Sequence, residues 1–496
     1  MIRTPLAALA LAVTQLASLA EKPTLEHLYP TAIALGETNT VSLTGKFDPW
    51  PPKIWSSNTN LQFNFPTNKG SVEISAPTDA PIGPALIRLY NDEGGSDPAI
   101  FVVTKTPHLR DTEPNNHFAK PQVITNLPTC INGRLEKNND VDSFRLNLKA
   151  GQWLDARLDS HTLMSKIDAV LRLVTTNGYQ LAWNHDFASF DPRLVWQSPT
   201  DQTVVLQVYG FAYPAGSEIV LSGGNGGIYQ LGLSVSDSPP ADLSAPLTEN
   251  KNFTNEISEA LGVICPAGDE DRFPLTLEKD ETIELRVDAM EFGSDLDPWI
   301  KIEDAAGKEL ARNDDAEGSR NALLEWKSPA ETNYNIVIGS VTHRGEEKYR
   351  YRLNLTKVTP DFQPTIEANN LILDSTGTNE LKVTIKRLRN FTNELTIALA
   401  SQIEGLTAEP IKIDSKSKEA TLKLITKEAK PHNAPIQILV KDPVTNTERP
   451  AQLSLVSRSE NNGVPQGYSK LLIETMDEIW LTIKPPKESA AAKPEK

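Results

Sequence analysis

Acidic and amide side chains between residues 113 and 142 form a candidate ligand set. Glu113, Asn115 and Asn116 lie in one short segment, and Asp140 and Asp142 begin a later strand-like run. Calcium in proteins takes about six to eight oxygen ligands from carboxylates, amides and carbonyls. These five residues are therefore a candidate calcium site. The alternative, that the first segment is a turn and the aspartates are solvated strand ends, stays open.

Aromatic side chains offer a second kind of chemistry. Tryptophan and tyrosine on a surface can stack on sugars or anchor a protein partner. Trp183 and Tyr209 lie in the region richest in such residues, and Phe211 and Tyr213 lie in a loop beside them. We predict that Phe211 and Tyr213 form a ligand-contacting surface.

The sequence contains no recognisable catalytic motif. The chain has no Gly-x-Ser-x-Gly elbow, no His-Glu-x-x-His, no Walker loop and no Cys-x-x-Cys. The glycine-rich stretch 223–227 follows no strand–helix unit and is typical of a hairpin loop. A nucleophile needs a base within hydrogen-bond reach, and the scattered histidines nominate none. We expect no enzymatic activity.

The net charge argues against one class of partner, and the N-terminal segment indicates the cellular location. The 49 basic and 65 acidic residues give a net charge of −16, which repels phosphate backbones and argues against nucleic acid. Arg3, the apolar run from Leu6 to Val13, and the small residues Ser18 and Ala20 are typical of a signal peptide cut after Ala20. No later segment is apolar for long enough to span a membrane. The expected location is exported: periplasmic, cell-surface or secreted.

The two cysteines do not form a disulfide framework. Cys130 and Cys265 occupy different places in the repeat described next. We predict that both are small buried apolar residues.

Two stretches of the chain match at a constant offset of 129 residues. The matches include glycines, aspartates and, after one inserted residue, tryptophans: Gly133 with Gly262, Asp140 with Asp269, Asp142 with Asp271, Trp196 with Trp326, and the tails that begin at Tyr229 and Tyr349. A period this long indicates tandem domains. Because Trp196 and Trp326 are repeated, we predict that they belong to the core.

Each unit alternates apolar and polar residues with a period of two. Phe144, Leu146 and Leu148 show this pattern, as do Ile283 and Leu285. Turn signals at regular spacing favour antiparallel sandwiches. A second acidic cluster in each unit, built on Asn184-His-Asp186 with Asp168 and on Asn313-Asp-Asp315 with Asp297, is interpreted mainly as ordinary turn formers.

The motifs of the two units resemble one known family. The first unit has Glu113-Pro-Asn-Asn116, Asp140-Val-Asp-Ser-Phe144 and Asn184-His-Asp186, and the second has Asp269-Glu-Asp-Arg-Phe273 and Asn313-Asp-Asp315. They resemble the bacterial pre-peptidase C-terminal domain, a jelly-roll-like β-sandwich related to collagenase collagen-binding modules.

The resemblance implies a calcium ion that staples the N-terminal linker to acidic residues before an aromatic strand. Glu113, Asn115, Asn116 and Asp140 match that pattern. Asp269 and Asp271 are the possible metal residues of the second unit, where the linker is shorter and the carry-over to Glu249 and Asn250 is doubtful.

The flanking regions alternate in the same way and are similar to Ig-like domains, the first of TIG type. The sequence therefore predicts an all-β chain of tandem antiparallel sandwiches that forms an elongated particle. The order of modules resembles exported proteins of planctomycete-type bacteria. The expected boundaries are a signal peptide 1–20, an Ig/TIG-like sandwich 21–106, pre-peptidase-type sandwiches 107–237 and 246–358, an Ig-like sandwich 362–457, and an extension 458–496 with a disordered tail.

Two functions fit this organisation. The first is an exported, non-catalytic binding or scaffolding protein that contacts extracellular protein or polysaccharide. The second is an accessory component of an exported peptidase or other hydrolase.

Overall fold

The computed structural model describes residues 21–187, 190–212, 220–244, 253, 258–316, 319–456 and 472–486. The expected signal peptide and Tyr213 lie outside these residues. The chain is all-β, as predicted, and its helical content within the described ranges is one turn at Ala241–Ser244 and a 3-10 turn at Met290–Phe292. No helix in the described ranges is long and apolar enough to cross a membrane.

The first sandwich is formed by residues 24–104. Its strands are β1 Thr24–Tyr29, β2 Ala32–Ala34, β3 Thr38–Lys46, β4 Lys53–Ser56, β5 Gln62–Asn64, β6 Ser71–Ser75, β7 Gly83–Asn91, β8 Gly94–Gly95 and β9 Ala99–Thr104. One sheet has the order β1-β3-β6-β5 and the other β2-β9-β7-β4, with β8 paired to β7. Alternating residues such as Val41 and Leu43 point into the core between the sheets.

The second sandwich is formed by residues 108–236. Its strands are β10 His108–Arg110, β11 Gln122–Val123, β12 Thr129–Arg134, β13 Asp142–Leu148, β14 Trp153–Asp159, β15 Ile167–Thr175, β16 Gln180–Asn184, β17 Arg193–Gln197, β18 Gln202–Ala212 and β19 Ile228–Ser236. The sheets are β10-β12-β19-β14-β17 and β11-β13-β18-β15-β16. Phe144, Leu146 and Leu148 are buried between them, while Arg145 and Asn147 are exposed.

Within its described residues, the third sandwich repeats this topology without counterparts of β10 and β11, apart from a parallel bridge between Phe253 and Leu275. Its strands are β20 Glu259–Val263, β21 Asp271–Leu277, β22 Thr282–Asp288, β23 Pro298–Asp304, β24 Glu309–Asn313, β25 Ala322–Lys327, β26 Thr332–Ser340 and β27 Arg350–Lys357. The orders β20-β27-β22-β25 and β21-β26-β23-β24 correspond strand for strand to the second sandwich. Trp196 pairs with Leu154, and Trp326 pairs with Ile283, at the same place in the two ladders. Both tryptophans are half-buried and pack against the cores.

The fourth sandwich is formed by residues 361–456 together with two strands from 472–483. Its strands are β28 Asp361–Thr365, β29 Asn370–Leu373, β30 Gly377–Leu388, β31 Leu395–Leu399, β32 Leu406–Thr407, β33 Ile411–Ile413, β34 Glu419–Thr426, β35 His432–Ile436, β36 Ile438–Lys441, β37 Glu448–Pro450, β38 Leu453–Val456, β39 Leu472–Met476 and β40 Ile479–Ile483. β40 lies between β29 and β35, and β39 pairs with β38. The last strands are thus integral to this sandwich.

The same glycine–tyrosine pair occurs across two neighbouring strands in both duplicated sandwiches. Gly133 pairs with Tyr229 across β12 and β19, and Gly262 pairs with Tyr351 across β20 and β27. A Cβ atom at Gly133 would lie 2.0 Å from Cζ of Tyr229, and one at Gly262 would lie 2.3 Å from the Tyr351 hydroxyl. The structure therefore matches Tyr229 with Tyr351, so the expected match with Tyr349 is wrong. The two-residue error arises because strand side chains repeat every two residues.

We expect Gly133→Ala to lower the melting temperature by several degrees. The Tyr229 ring is fully buried and its hydroxyl donates to Asp142, so the ring cannot move aside. Overpacking of a core costs about 1–3 kcal/mol. Thermal unfolding measures the effect. Gly232→Ala is the matched control, because the nearest heavy atom to a Cβ there lies 3.7 Å away on the neighbouring strand; equal melting temperatures for the two variants would contradict the expectation.

The four sandwiches contact one another in a closed cycle. Tyr29 of the first donates to Asp111 of the second at 2.5 Å. Phe187 of the second lies against Gly293 of the third, where a Cβ atom would be 1.9 Å from the ring. Arg389 of the fourth pairs with Glu284 and Glu325 of the third, each at 2.9 Å.

The cycle closes between the fourth and first sandwiches. The ring of Trp480 lies 5.8 Å from that of Trp55 and 5.2 Å from that of Tyr90, centroid to centroid. Lys484 pairs with Glu93 at 2.7 Å. The structure therefore differs from the expected elongated particle, because the fourth sandwich packs against the first through Trp480 and Lys484.

The cysteines divide between interior and surface. Cys130 is buried on β12, as predicted, and burial raises the pKa of its thiol to about 12. Cys265 is exposed, so the prediction of a buried residue is wrong there. The reason is that β20 ends at Val263, and Cys265 already lies in the following turn.

Candidate cation site and aromatic face

The candidate cation site lies where the linker into the second sandwich meets the start of β13. Asn139 adopts a left-handed conformation with φ 64°, which asparagine tolerates, and the chain then enters β13 through Asp140 and Asp142. The linker reaches the same point because the carbonyl of Asn115 accepts a hydrogen bond from the amide of Ser143 at 3.1 Å. Folding thus joins the two segments that the sequence places far apart.

Three carboxylates converge at this point. One oxygen from each of Glu113, Asp140 and Asp142 lies within 4.8 Å of the others, and both aspartates are fully buried. Burial, together with the neighbouring carboxylates, raises the pKa of Asp142 to about 9, although the Tyr229 hydroxyl donates to it at 2.5 Å. Burial also raises the pKa of Glu113. The cluster therefore favours a bound proton or cation.

Asn115 shows what the site is suited to bind. It is fully buried, and neither its amide oxygen nor its amide nitrogen has a hydrogen-bond partner within the described structure. Oδ1 of Asp142 is likewise buried without one. A buried polar group left unpaired costs about 1–3 kcal/mol. A cation bound to the Asn115 oxygen and the three carboxylates would remove this cost for the oxygen atoms of Asn115 and Asp142. These oxygen ligands fit calcium.

Asn116 holds a different position in the cluster. Its amide nitrogen contacts Oδ1 of Asp140, while Oδ2 of Asp140 accepts the amide of Glu136 at 2.6 Å. An amide nitrogen cannot ligate calcium. Asn116 becomes a ligand only after its amide group turns over.

The equivalent aspartates of the third sandwich have the same local contacts. Asp269 accepts the amide of Cys265 at 3.1 Å, as Asp140 accepts Glu136. Asp271 accepts the Tyr351 hydroxyl at 2.5 Å, as Asp142 accepts Tyr229. Residues 245–252 and 254–257 lie outside the described chain, and in the part that is described no further acidic, histidine or cysteine side chain joins these two in a cluster. The tyrosine partners were missed from the sequence because the tails were aligned two residues out.

The Asn-x-Asp segment of the second acidic cluster forms a turn in each unit, and in the second sandwich Asp168, His185 and Asp186 also each bring one ligand atom within 4.8 Å of the others. Asn184 donates to the carbonyl of Asp186, and Asn313 to that of Asp315, each at 2.9 Å. His185 lies 3.1 Å from Asp168, and hydrogen bonding to that carboxylate raises the pKa of His185. The Asp168 carboxylate thus holds the His185 imidazole in place.

A serine, a histidine and an aspartate adjoin one another after β14 without forming a triad. One oxygen of Asp191 accepts the amides of Ser160 and His161, each at 2.7 Å, and the Ser160 hydroxyl at 3.1 Å. Asn321 accepts two amides at the equivalent loop of the third sandwich. Asp191 therefore caps a loop.

The aromatic residues near Phe211 divide between packing and exposure. Phe211 is half-buried on β18, so the prediction that it lies in a loop is wrong. Its ring lies 6.1 Å from that of Tyr209 and 6.0 Å from that of His185. Trp183, on the edge strand β16, is 58% exposed. The exposed aromatic surface is thus centred on Trp183 more than on Phe211.

Comparisons with known proteins give structural neighbours only. No family model and no curated protein matches the sequence. The pre-peptidase C-terminal domain of collagenase from Bacillus anthracis is 10% identical, with TM-score 0.18, over 22% of this chain and 97% of that one. The fibronectin(III)-like modules of Clostridium thermocellum CbhA are 9% identical, with TM-score 0.15, over 48% and 92%. The M60 catalytic domain with two CBM51 domains from Clostridium perfringens ZmpB is 9% identical, with TM-score 0.15, over 68% and 46%.

Proposed function

We propose that this chain is an exported, non-catalytic binding protein whose second sandwich is held to its linker by calcium. The observation that carries the proposal is Asn115, buried with both amide atoms unpaired beside Glu113, Asp140 and Asp142. Calcium when bound supplies positive charge at the junction of the linker and β13. Asn115 and the carboxylates then hold the linker in place.

The same linker contacts the first sandwich. Asp111, two residues before Glu113, accepts the Tyr29 hydroxyl at 2.5 Å with one oxygen and the amide of Arg134 at 3.1 Å with the other. Burial and the Asp111 carboxylate raise the pKa of Tyr29 well above its usual range, so the hydroxyl stays a donor. Ordering of residues 113–116 therefore also fixes how the first sandwich rests on the second.

Ligand binding belongs to the exposed faces of the sandwiches. In the loop after β14, the Asp191 carboxylate is used as a loop cap, so Ser160 and His161 are not arranged as a nucleophile with its base. Partners of extracellular type, protein or polysaccharide, are proposed because exposed tryptophan and tyrosine are suited to both.

The test is retention of the purified chain on immobilised collagen, cell-wall polysaccharide and acidic polysaccharide, in calcium and in EDTA. We expect retention on at least one matrix and weaker retention in EDTA. A casein-hydrolysis assay runs in parallel with the same preparation. Casein cleavage would refute the proposal, and retention only together with a co-purified hydrolase would favour the accessory role instead.

A further inference from the structure

The outer face of the sheet β11-β13-β18-β15-β16 carries a row of aromatic and guanidinium groups. Trp183 on β16 pairs in register with Arg172 on β15. The Arg172 guanidinium lies 5.2 Å from the Tyr209 ring on β18 and donates to Gln207 at 3.0 Å and 3.2 Å. All of these side chains point outward, because their neighbours along each strand fill the core. We call Trp183, Arg172 and Tyr209 the aromatic row.

Two positive charges on this face have no acidic partner. Arg145, on β13, points to the same side and is exposed. Neither Arg145 nor Arg172 has a carboxylate within ion-pair distance in the described part of the molecule, although the whole chain has a net charge of −16. The two guanidinium groups are thus unneutralised on this face, whereas the Asp168 carboxylate farther along β15 lies against His185. An anionic ligand is favoured beside Arg172 and Arg145.

The third sandwich provides an internal comparison, because the same face is closed in it. Trp299 is only 4% exposed, and its ring lies 4.9 Å from the Lys301 ammonium and 4.5 Å from the Arg312 guanidinium. Lys301 and Arg272 both pair with Glu303. Arg312 stands at the position equivalent to Trp183, and Lys301 at that of Arg172. The third sandwich therefore neutralises the charges on this face and buries Trp299. The second sandwich leaves Arg172 without an acidic partner and Trp183 exposed.

The valines that lie between the side chains of the aromatic row leave no exposed apolar surface for a partner's apolar side chain. Val205, Val170 and Val174 point to the same face and are already 0%, 1% and 2% exposed. A protein partner anchors its hot-spot side chains in desolvated apolar pockets, and these three valines are already covered. A ring-shaped sugar needs only a flat aromatic platform and nearby polar groups.

We propose that the aromatic row binds an acidic polysaccharide. The sugar ring stacks on Trp183, and its carboxylate or sulfate pairs with Arg172, whose planar fork suits such groups. Gln207 holds the guanidinium in place. This inference rests on the proposed binding function and names the class of ligand.

The test compares two cellulose derivatives with the same backbone in affinity gel electrophoresis. Carboxymethyl cellulose carries carboxylates, and hydroxyethyl cellulose is neutral. We expect the mature chain to bind the anionic polymer, with affinity that falls as salt is added. Trp183→Ala and Arg172→Gln should each weaken binding by about tenfold, which corresponds to loss of one charge-assisted or stacking contact.

Leu310→Ala is the matched control, since Leu310 is 37% exposed on the equivalent edge strand of the third sandwich. It should bind like the wild type, and all three variants should keep the wild-type melting temperature. Equal binding to both celluloses, or full binding by Trp183→Ala, overturns the inference. Binding to gelatin that needs Trp183, without binding to either cellulose, also overturns it but leaves the proposed function standing. Casein cleavage by a chain that is retained on none of the matrices would contradict both this inference and the proposed function.

Discussion

Calcium is expected to raise the melting temperature of the second sandwich by several degrees. In the unfolded chain the oxygens of Glu113, Asn115, Asp140 and Asp142 are scattered, so the ion favours the folded form. A ligand that binds only the native state stabilises it by about 2.7 kcal/mol at a hundredfold excess over Kd. For a domain of this size such a gain corresponds to a shift of several degrees.

Calorimetry of the full chain in calcium chloride and in EDTA measures this effect. Asp142→Asn and Asn115→Ala should lose the response. Asp271→Asn is the matched control, because Asp271 accepts the same tyrosine hydrogen bond in the third sandwich and should leave the calcium response intact. Identical melting curves of the wild type in calcium and EDTA would remove the site and leave the aspartates as structural acceptors.

The calcium response should also depend on pH. Without calcium, Asp142 has a folded pKa of about 9 against an ordinary value of 3.8. The folded state therefore binds the extra proton between these values, and its stability falls as pH rises through that window. Calcium competes with this proton, so the gain from calcium should grow as pH rises from 5 to 8.

Trp480→Ala is expected to separate the fourth sandwich from the first. Trp480 is 1% exposed and packs against Trp55, Tyr90 and Gly95, where a Cβ atom would lie 2.6 Å from its indole nitrogen. Truncation of a buried tryptophan costs about 3–5 kcal/mol. The fourth sandwich should therefore melt earlier, and the particle should expand.

Solution scattering and thermal unfolding measure these two effects. Trp183→Ala is the control with the same chemical change at a 58% exposed position, and it should alter neither. Gly95→Ala introduces a methyl group that clashes with Trp480 from the side of the first sandwich. It should expand the particle as Trp480→Ala does. An unchanged radius of gyration in both interface variants would show that this contact does not hold the cycle closed.

The sequence predicted the local structure better than the assembly. Alternation of apolar residues identified the strands, because the two faces of a sandwich strand meet different surroundings, and Phe144, Leu146 and Leu148 are buried as that pattern requires. No local pattern shows which neighbouring domain covers Trp480. The closed cycle was therefore missed.

The sequence predicted which residues form the candidate site better than it predicted their burial and hydrogen-bond partners. Residue types and the family resemblance together nominated Glu113, Asp140 and Asp142, and the fold brings them together. The complete burial of Asn115 depends on how the linker crosses β13, which no spacing reveals. The role of Tyr229 was hidden because a shift of two residues preserves the inward pattern of a strand.

The closed cycle has a mechanical consequence. The carbonyl of Glu21 accepts Asn91, and Lys484 pairs with Glu93, each at 2.7 Å, so the two ends of the described chain are both fastened at one hairpin of the first sandwich. A load applied between residues 21 and 484 would act on the interface of the first and fourth sandwiches, where this patch and the Trp480 contact lie, until that interface gives way. The sandwiches could then swing apart in series and release a length that the intact particle keeps in reserve.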